Sequence, residues 1–116
     1  MSDDKVDRVT SRSIGQPGRA LNSARHNHFI LDSPSGPGEA LTNGEAFLAG
    51  ISSCGVTLIE KQAHDDGTPL PGLEVAIAGT RAAADPTRFA SIRVAFVFRG
   101  VPAARAAHLV ETWQRR

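Results

Sequence analysis

The sequence has one cysteine, no tyrosine, one tryptophan and five phenylalanines among 116 residues. A single cysteine closes no disulfide within the chain. A cytoplasmic setting is therefore the default expectation, and a lone thiol there is either a small buried residue or a reactive one. Thirteen basic residues against twelve acidic ones leave a net charge of +1. With no basic stripe and no aromatic platform, the footprint of a nucleic-acid binder is missing. No apolar run reaches the roughly 18 residues that a membrane span needs. The polar, acidic opening MSDDKVDRV does not read as a secretory signal. No internal repeat or low-complexity tract is present. What remains is the length of one domain, 1–116, burying roughly 65% of its unfolded-chain surface in one modest core.

The longest helix-like run is Thr42–His64, TNGEAFLAGISSCGVTLIEKQAH, and it carries the cysteine, Cys54. Thr42 followed by Glu45 reads as a capping box that starts the helix. Phe47, Ile51, Cys54 and Leu58 form an apolar stripe at helical spacing. Leu48, Val56, Ile59 and Ala63 add apolar surface on other sides, so the helix is expected to be buried and central. Gly50, Ser52, Ser53 and Gly55 are poor helix formers around Cys54. Small residues there let a backbone or a substrate come close. Asp65-Asp66-Gly67 stops the helix.

Upstream, Val6–Ile14 reads as an edge strand, Gly15–Gly18 as a turn, Arg19–Ser23 as a second strand and Arg25–Asp32 as a third. Ser33–Asn43, rich in Pro, Gly and Ser, is a loop of the kind that often carries function. Downstream, Leu73–Thr80 alternates, and Phe89–Arg99 places Ile92, Val94, Phe96 and Phe98 on one face. These two strands make a hairpin. Pro102 suits a first helical position, and Ala103, Ala106, Ala107, Val110 and Trp113 mark a second amphipathic helix. The order predicts an α+β fold, an antiparallel sheet packed on one long helix. The chain stops at Gln114-Arg115-Arg116 with no glycine cap, which leaves room for a final element beyond it.

GEAFLAGISSC, Gly44–Cys54, resembles the core signature of the OsmC/Ohr family of osmotically inducible and organic-hydroperoxide-resistance proteins. That signature runs Pro-x-Glu-Leu, an Ala-rich helical stretch, then small-small-Cys. HNHFILDSPSGPGEALTNG, His26–Gly44, looks like the strand and Gly-rich loop before it. GRALNS, Gly18–Ser23, is similar to the segment carrying the arginine of the hydroperoxide-resistance branch. Leu73–Gly100 resembles the family's hairpin and Ala103–Gln114 its next helix. The resemblance implies an OsmC-like fold, an intertwined homodimer and active sites at the subunit interface. It also implies reduction of organic hydroperoxides by a cysteine thiolate, without a cofactor. Cys54 would be the peroxidatic thiol, Arg19 would favour the thiolate and orient the peroxide, and Glu45 would position that arginine.

The sequence departs from the family pattern in three ways. It has no second cysteine to resolve a sulfenic acid as a disulfide: either that cysteine was lost, or it lies beyond Arg116, or resolution uses an external thiol, and the reductant that the resemblance implies is an external thiol or dithiol. Asn43 or Gly44 stands where the family has proline. Glu45 precedes Cys54 by nine residues, against ten in the hydroperoxide-resistance branch. Nine residues is about 13 Å along a helix and half a rotation, so Glu45 reaches the thiol only through a bridging arginine or across a dimer interface. Plainer readings stand beside these. Cys54 is a small buried hydrophobe, Glu45 only a cap partner, and Arg19 a solvated strand-edge charge with Arg25 as its rival. His26 and His28 form an HxH pair that His64 and His108 could join, but no spacing matches a known metal site. Two functions follow: a thiol peroxidase in oxidative-stress defence, or a non-catalytic dimer that binds a small apolar ligand or senses redox state.

Overall fold

A computed structural model describes residues 4–115. Residues 1–3 and 116, the two ends of the expected 1–116 domain, lie outside the described part. The chain forms two compact units, Met1–Phe47 and Leu48–Arg116.

The first unit holds strands β1 (Thr10–Ser13), β2 (Arg19–Ala24) and β3 (Asn27–Asp32) in one antiparallel sheet of order β1-β2-β3. The edge strand expected over Val6–Ile14 is paired only over Thr10–Ser13, a polar stretch that is exposed throughout. The third strand begins at Asn27, because Arg25 and His26 form a two-residue turn between paired Ala24 and Asn27. Arg25 takes a φ of 55°, a left-handed conformation that such turns require. From that turn the register runs without a bulge to Arg19 opposite Asp32. Asn22 is buried in this sheet. It accepts from Ser11 and donates to the carbonyls of Ala20 and Phe29, so its polarity is satisfied at its burial depth.

Helix α1 spans Asn43–Asp65, 23 residues, and the boundary between the units falls within it. The capping box forms as the sequence predicts. The Glu45 backbone N–H donates to Thr42 Oγ1 at 3.1 Å, and the Thr42 N–H donates to Glu45 Oε1 at 2.9 Å. At the other end Gly67 N–H donates to His64 O and Thr68 N–H to Ala63 O. With Gly67 at φ 68°, this is a Schellman stop, open to glycine because it has no Cβ.

The second unit contains the rest of α1, strands β4 (Gly72–Thr80) and β5 (Ser91–Arg99), and helix α2 (Ala103–Gln114). Pro102 is the N-cap of α2, one place before the first helical position. Strands β4 and β5 make their own two-stranded sheet, so the single sheet expected from the sequence is two sheets, each made only of sequence neighbours. Opposed apolar pairs, Leu73 with Phe98, Val75 with Phe96 and Ile77 with Val94, line one face of the hairpin. That face supplies Leu73, Phe96 and Phe98 to a core of Ile59, Ala63 and Leu109, joined by Leu70 and Trp113.

The buried stripe on α1 is narrow. Gly55, Ile59 and Ala63 are its buried residues, at i, i+4 and i+8. Of the stripe expected to be covered, Phe47 is 57% exposed and Cys54 is exposed. The apolar residues of α1 thus divide into a buried row and a row that is half-buried at Ile51 and Leu58 and exposed at Phe47 and Cys54, and the expected all-round burial does not describe this helix.

Candidate functional site

Cys54 opens onto a groove of about 530 Å³ in the second unit, lined by Gly50, Ile51, Cys54, Leu58, Trp113 and Gln114. Four of these residues come from α1, at spacings that keep them on one side of the helix. Two come from the last turn of α2. The small residues around the cysteine shape the groove. A Cβ at Gly50 would meet nothing within 4 Å, so this position is open space. A Cβ at Gly55 would lie 3.6 Å from both the Phe96 ring and Trp113 Nε1. These are ordinary van der Waals distances, so the Phe96 ring and the Trp113 indole lie directly over Gly55, the residue after the thiol. Trp113 is set by Phe96, edge to face at 5.2 Å between centroids.

The other two predicted site residues lie in the first unit, and the structure does not bring them together. Arg19, at the start of β2, donates from Nε to Asp32 Oδ1 at 2.7 Å and from Nη2 to Asp32 Oδ2 at 3.2 Å. Its Nη2 also reaches Glu39 Oε1 at 3.3 Å. Glu45 instead bonds the start of α1 through Thr42. Within this unit Arg19 is held by Asp32 and Glu39 and not by Glu45. The physical reason is register, since Asp32 faces Arg19 directly across the hairpin.

Asp32 is fully buried. Its Oδ2 also accepts the backbone N–H groups of Glu39 and Ala40, each at 2.9 Å. The Arg19 hydrogen bonds, the Ala40 N–H and then the Glu39 N–H hold its carboxyl down at about 2, against burial, which pushes it up. A carboxyl lowered on folding contributes stability that is complete above its unfolded value near 3.8. That stability is lost as the pH falls from there through about 2. Urea unfolding should therefore show a midpoint lower at pH 2.5 than at pH 5, and the difference should shrink in Asp32→Asn. An equal pH difference in the two proteins would count against this role.

Arg25, the rival of Arg19, sits in the β2–β3 turn. His26 shares that turn, and His28 is bonded to Ser23 Oγ through Nδ1 at 2.7 Å. His64 lies in the last turn of α1 and His108 within α2. Among the described residues, no three His, Cys, Asp or Glu side chains are grouped so as to hold a metal ion. No described helix is long and apolar enough to cross a membrane.

No protein-family model matches this sequence, and no curated protein does. Solved structures do match. An OsmC-like protein from Mycoplasma pneumoniae superposes with a TM-score of 0.84 at 15% identity, covering 97% of this chain and 83% of that one. The chain has the OsmC/Ohr fold. An organic hydroperoxide resistance protein from Legionella pneumophila shares that fold at a TM-score of 0.70 and 19% identity, over 96% of this chain and 83% of that one. The organic hydroperoxide resistance protein OhrB of Bacillus subtilis shares it at 0.61 and 14%, over 96% and 84%. In this OsmC-like chain, Asp32 and Glu39 went unread as partners of Arg19, and Trp113 as a wall of the groove. Asp32 and Glu39 were legible in principle. Once Arg25-His26 is taken as the turn, counting back from Ala24 and Asn27 puts Arg19 opposite Asp32.

Proposed function

We propose that this OsmC-like protein is a cytoplasmic thiol peroxidase that reduces organic hydroperoxides through Cys54 in oxidative-stress defence, working as a homodimer. The observation that carries the reading is an exposed cysteine on an apolar groove, beside an indole, in a chain of this fold. The thiolate attacks the terminal peroxide oxygen, forming S–O as O–O breaks. The alkoxide takes up a proton and leaves as the alcohol, and the sulfur, oxidised by two electrons, remains as sulfenic acid. With one cysteine in the sequence, an external thiol condenses with the sulfenic acid and releases water. A second thiol then exchanges with the mixed disulfide and restores Cys54. Arg19 is the cation that orients the peroxide and offsets the developing alkoxide charge. Glu45 serves by starting the helix that bears the thiol.

The single cysteine also favours a second reading, a non-catalytic dimer that holds a small apolar ligand in the groove or senses redox state through Cys54. One experiment separates the two. Thiol loss is followed against cumene hydroperoxide and hydrogen peroxide, with Cys54→Ser as control. The peroxidase should be oxidised stoichiometrically, about 100-fold faster or more by the organic peroxide than a free cysteine is, and the Cys54→Ser variant should consume none. Oxidation no faster than that of free cysteine would sink the peroxidase and leave the ligand-binding reading.

A further inference from the structure

The sequence has three asparagines, Asn22, Asn27 and Asn43, and only Asn43 is followed by glycine. Asn22 is buried, and its amide is engaged with Ser11 and with the carbonyls of Ala20 and Phe29. Asn27 donates from Nδ2 to Ala24 O at 3.3 Å. Asn43 is exposed, and its amide makes no hydrogen bond to any described residue. Gly44 is the second residue of α1. Its N–H is one of the donors that a helix start leaves without an intrahelical acceptor, and no described residue accepts it. An uncommitted side-chain amide and an uncommitted backbone nitrogen thus stand next to each other. Gly44 has no side chain to hinder their approach.

The capping box closes over this pair. Thr42 and Glu45, joined by its two bonds of 2.9 and 3.1 Å, flank Asn43 and Gly44. While both bonds hold, Asn43 keeps helical dihedrals. Its side chain then leans back towards the start of the helix, away from the Gly44 nitrogen. Both bonds are exposed to solvent, and a terminal turn opens at far less cost than the whole fold.

We propose that Asn43–Gly44 is a self-modification site gated by the capping box: it is closed while Thr42 and Glu45 hold the first turn of α1, and open to imide formation when that turn frays. In the open turn the Gly44 nitrogen gives its proton to water and attacks Asn43 Cγ. The N–Cγ bond forms and Cγ–Nδ2 breaks, and Nδ2 takes up a proton and leaves as ammonia. Water then opens the cyclic imide. Cleavage of N–Cγ gives aspartate, and cleavage between the nitrogen and the Asn43 main-chain carbonyl gives isoaspartate. Water enters, ammonia leaves, and nothing is oxidised. The two products differ in their effect on the helix. Aspartate adds a negative charge to the first turn, which the helix dipole favours. Isoaspartate adds a methylene to the main chain within the span of the box, so Thr42 and Glu45 fall out of register. The site is independent of the chemistry at Cys54.

The test holds the full chain at about pH 8 and 37 °C, samples it over days, and digests it. Mass spectrometry then gives the converted fraction at each asparagine of the same sample. Asn43 should convert first of the three. Thr42→Ala removes one bond of the box, a loss that makes an open turn about fivefold more populated, so conversion at Asn43 relative to Asn27 should rise about fivefold. Thr42→Ser keeps the hydroxyl and should stay within about twofold of wild type. Gly44→Ala favours the helix and crowds the nitrogen, and should slow conversion by about fivefold or more. Reading Asn43 against Asn27 separates opening of the turn from general unfolding, which would speed both. Conversion at Asn43 no faster than at Asn27 overturns the site. A ratio unchanged by Thr42→Ala overturns the gate, and with it the proposal.

Discussion

Leu109→Ala should destabilise the full chain by about 3 kcal/mol, the middle of the range for a buried leucine that leaves a cavity. Leu109 is 0% exposed, and only Ile59 and Ala63 share its full burial among the apolar residues described. The shell around them, Leu70, Leu73, Phe96, Phe98 and Trp113, is half-buried. A core of three buried side chains has little to close over a lost isobutyl group. A domain of this size has about 5–15 kcal/mol in total, so the loss is a large fraction. It should lower the melting temperature by about 12 °C or more. Thermal unfolding followed by circular dichroism reads the change, with Leu109→Met as the volume-conserving control at under about 1.5 kcal/mol. A loss below about 1 kcal/mol in Leu109→Ala would mean that α2 is not anchored by this residue. The groove depends on that anchor, because Trp113 lies one turn further along the same helix.

The parts of the fold that were legible in the sequence are those fixed by local chemistry. Thr42 and Glu45 announced the start of α1, and Asp65-Asp66-Gly67 its end, because caps and stops involve only neighbours in the chain. The β4–β5 hairpin was legible because Leu73, Val75 and Ile77 alternate against Val94, Phe96 and Phe98. What could not be read was which side of α1 is covered. Phe47, Ile51, Cys54 and Leu58 have the right spacing for a buried stripe, yet the covered row is Gly55, Ile59 and Ala63. Gly55 and Ala63 are small, so they carry little hydropathy signal. They are covered because partners far along the chain pack over them, Phe96 and Trp113 over Gly55 among them. Hydropathy records what a residue brings to a contact and says nothing of what a partner brings to it.

The site divides in the same manner. The cysteine was found by the resemblance of its helix. The arginine came from the GRALNS segment. The partner that the β2–β3 register gives it within this unit, Asp32, was not read, because the family pattern draws attention to the glutamate at Glu45. That register depends on a single residue, Arg25, taking a left-handed conformation that glycine or asparagine usually supplies. With Arg25 and His26 read as strand, Arg19 has no defined opposite number.

Gly18→Ala should cost about 3 kcal/mol, although it adds one methyl group at the surface of a turn. Two separate terms add. Gly18 has a φ of 79°, and a side chain in that region costs about 1–2 kcal/mol. A Cβ there would also lie 2.7 Å from Gly36 Cα and 2.8 Å from Gly36 N. Both are backbone atoms, held where they are because Ser33 N–H donates to Gly18 O at 2.7 Å and Gly36 N–H to Ser33 O at 2.9 Å. Neither side can yield without breaking one of these bonds, so the overlap adds about 1–3 kcal/mol. Gly38 is the control. Its φ is 77°, and a Cβ there would meet nothing within 4 Å, so Gly38→Ala should show the conformational cost alone, about 1–2 kcal/mol. Urea unfolding of the two variants beside wild type separates the terms. Equal losses would mean that the contact between Gly18 and Gly36 is slack. A larger loss at Gly18 would place the loop before α1 firmly on the turn that precedes Arg19.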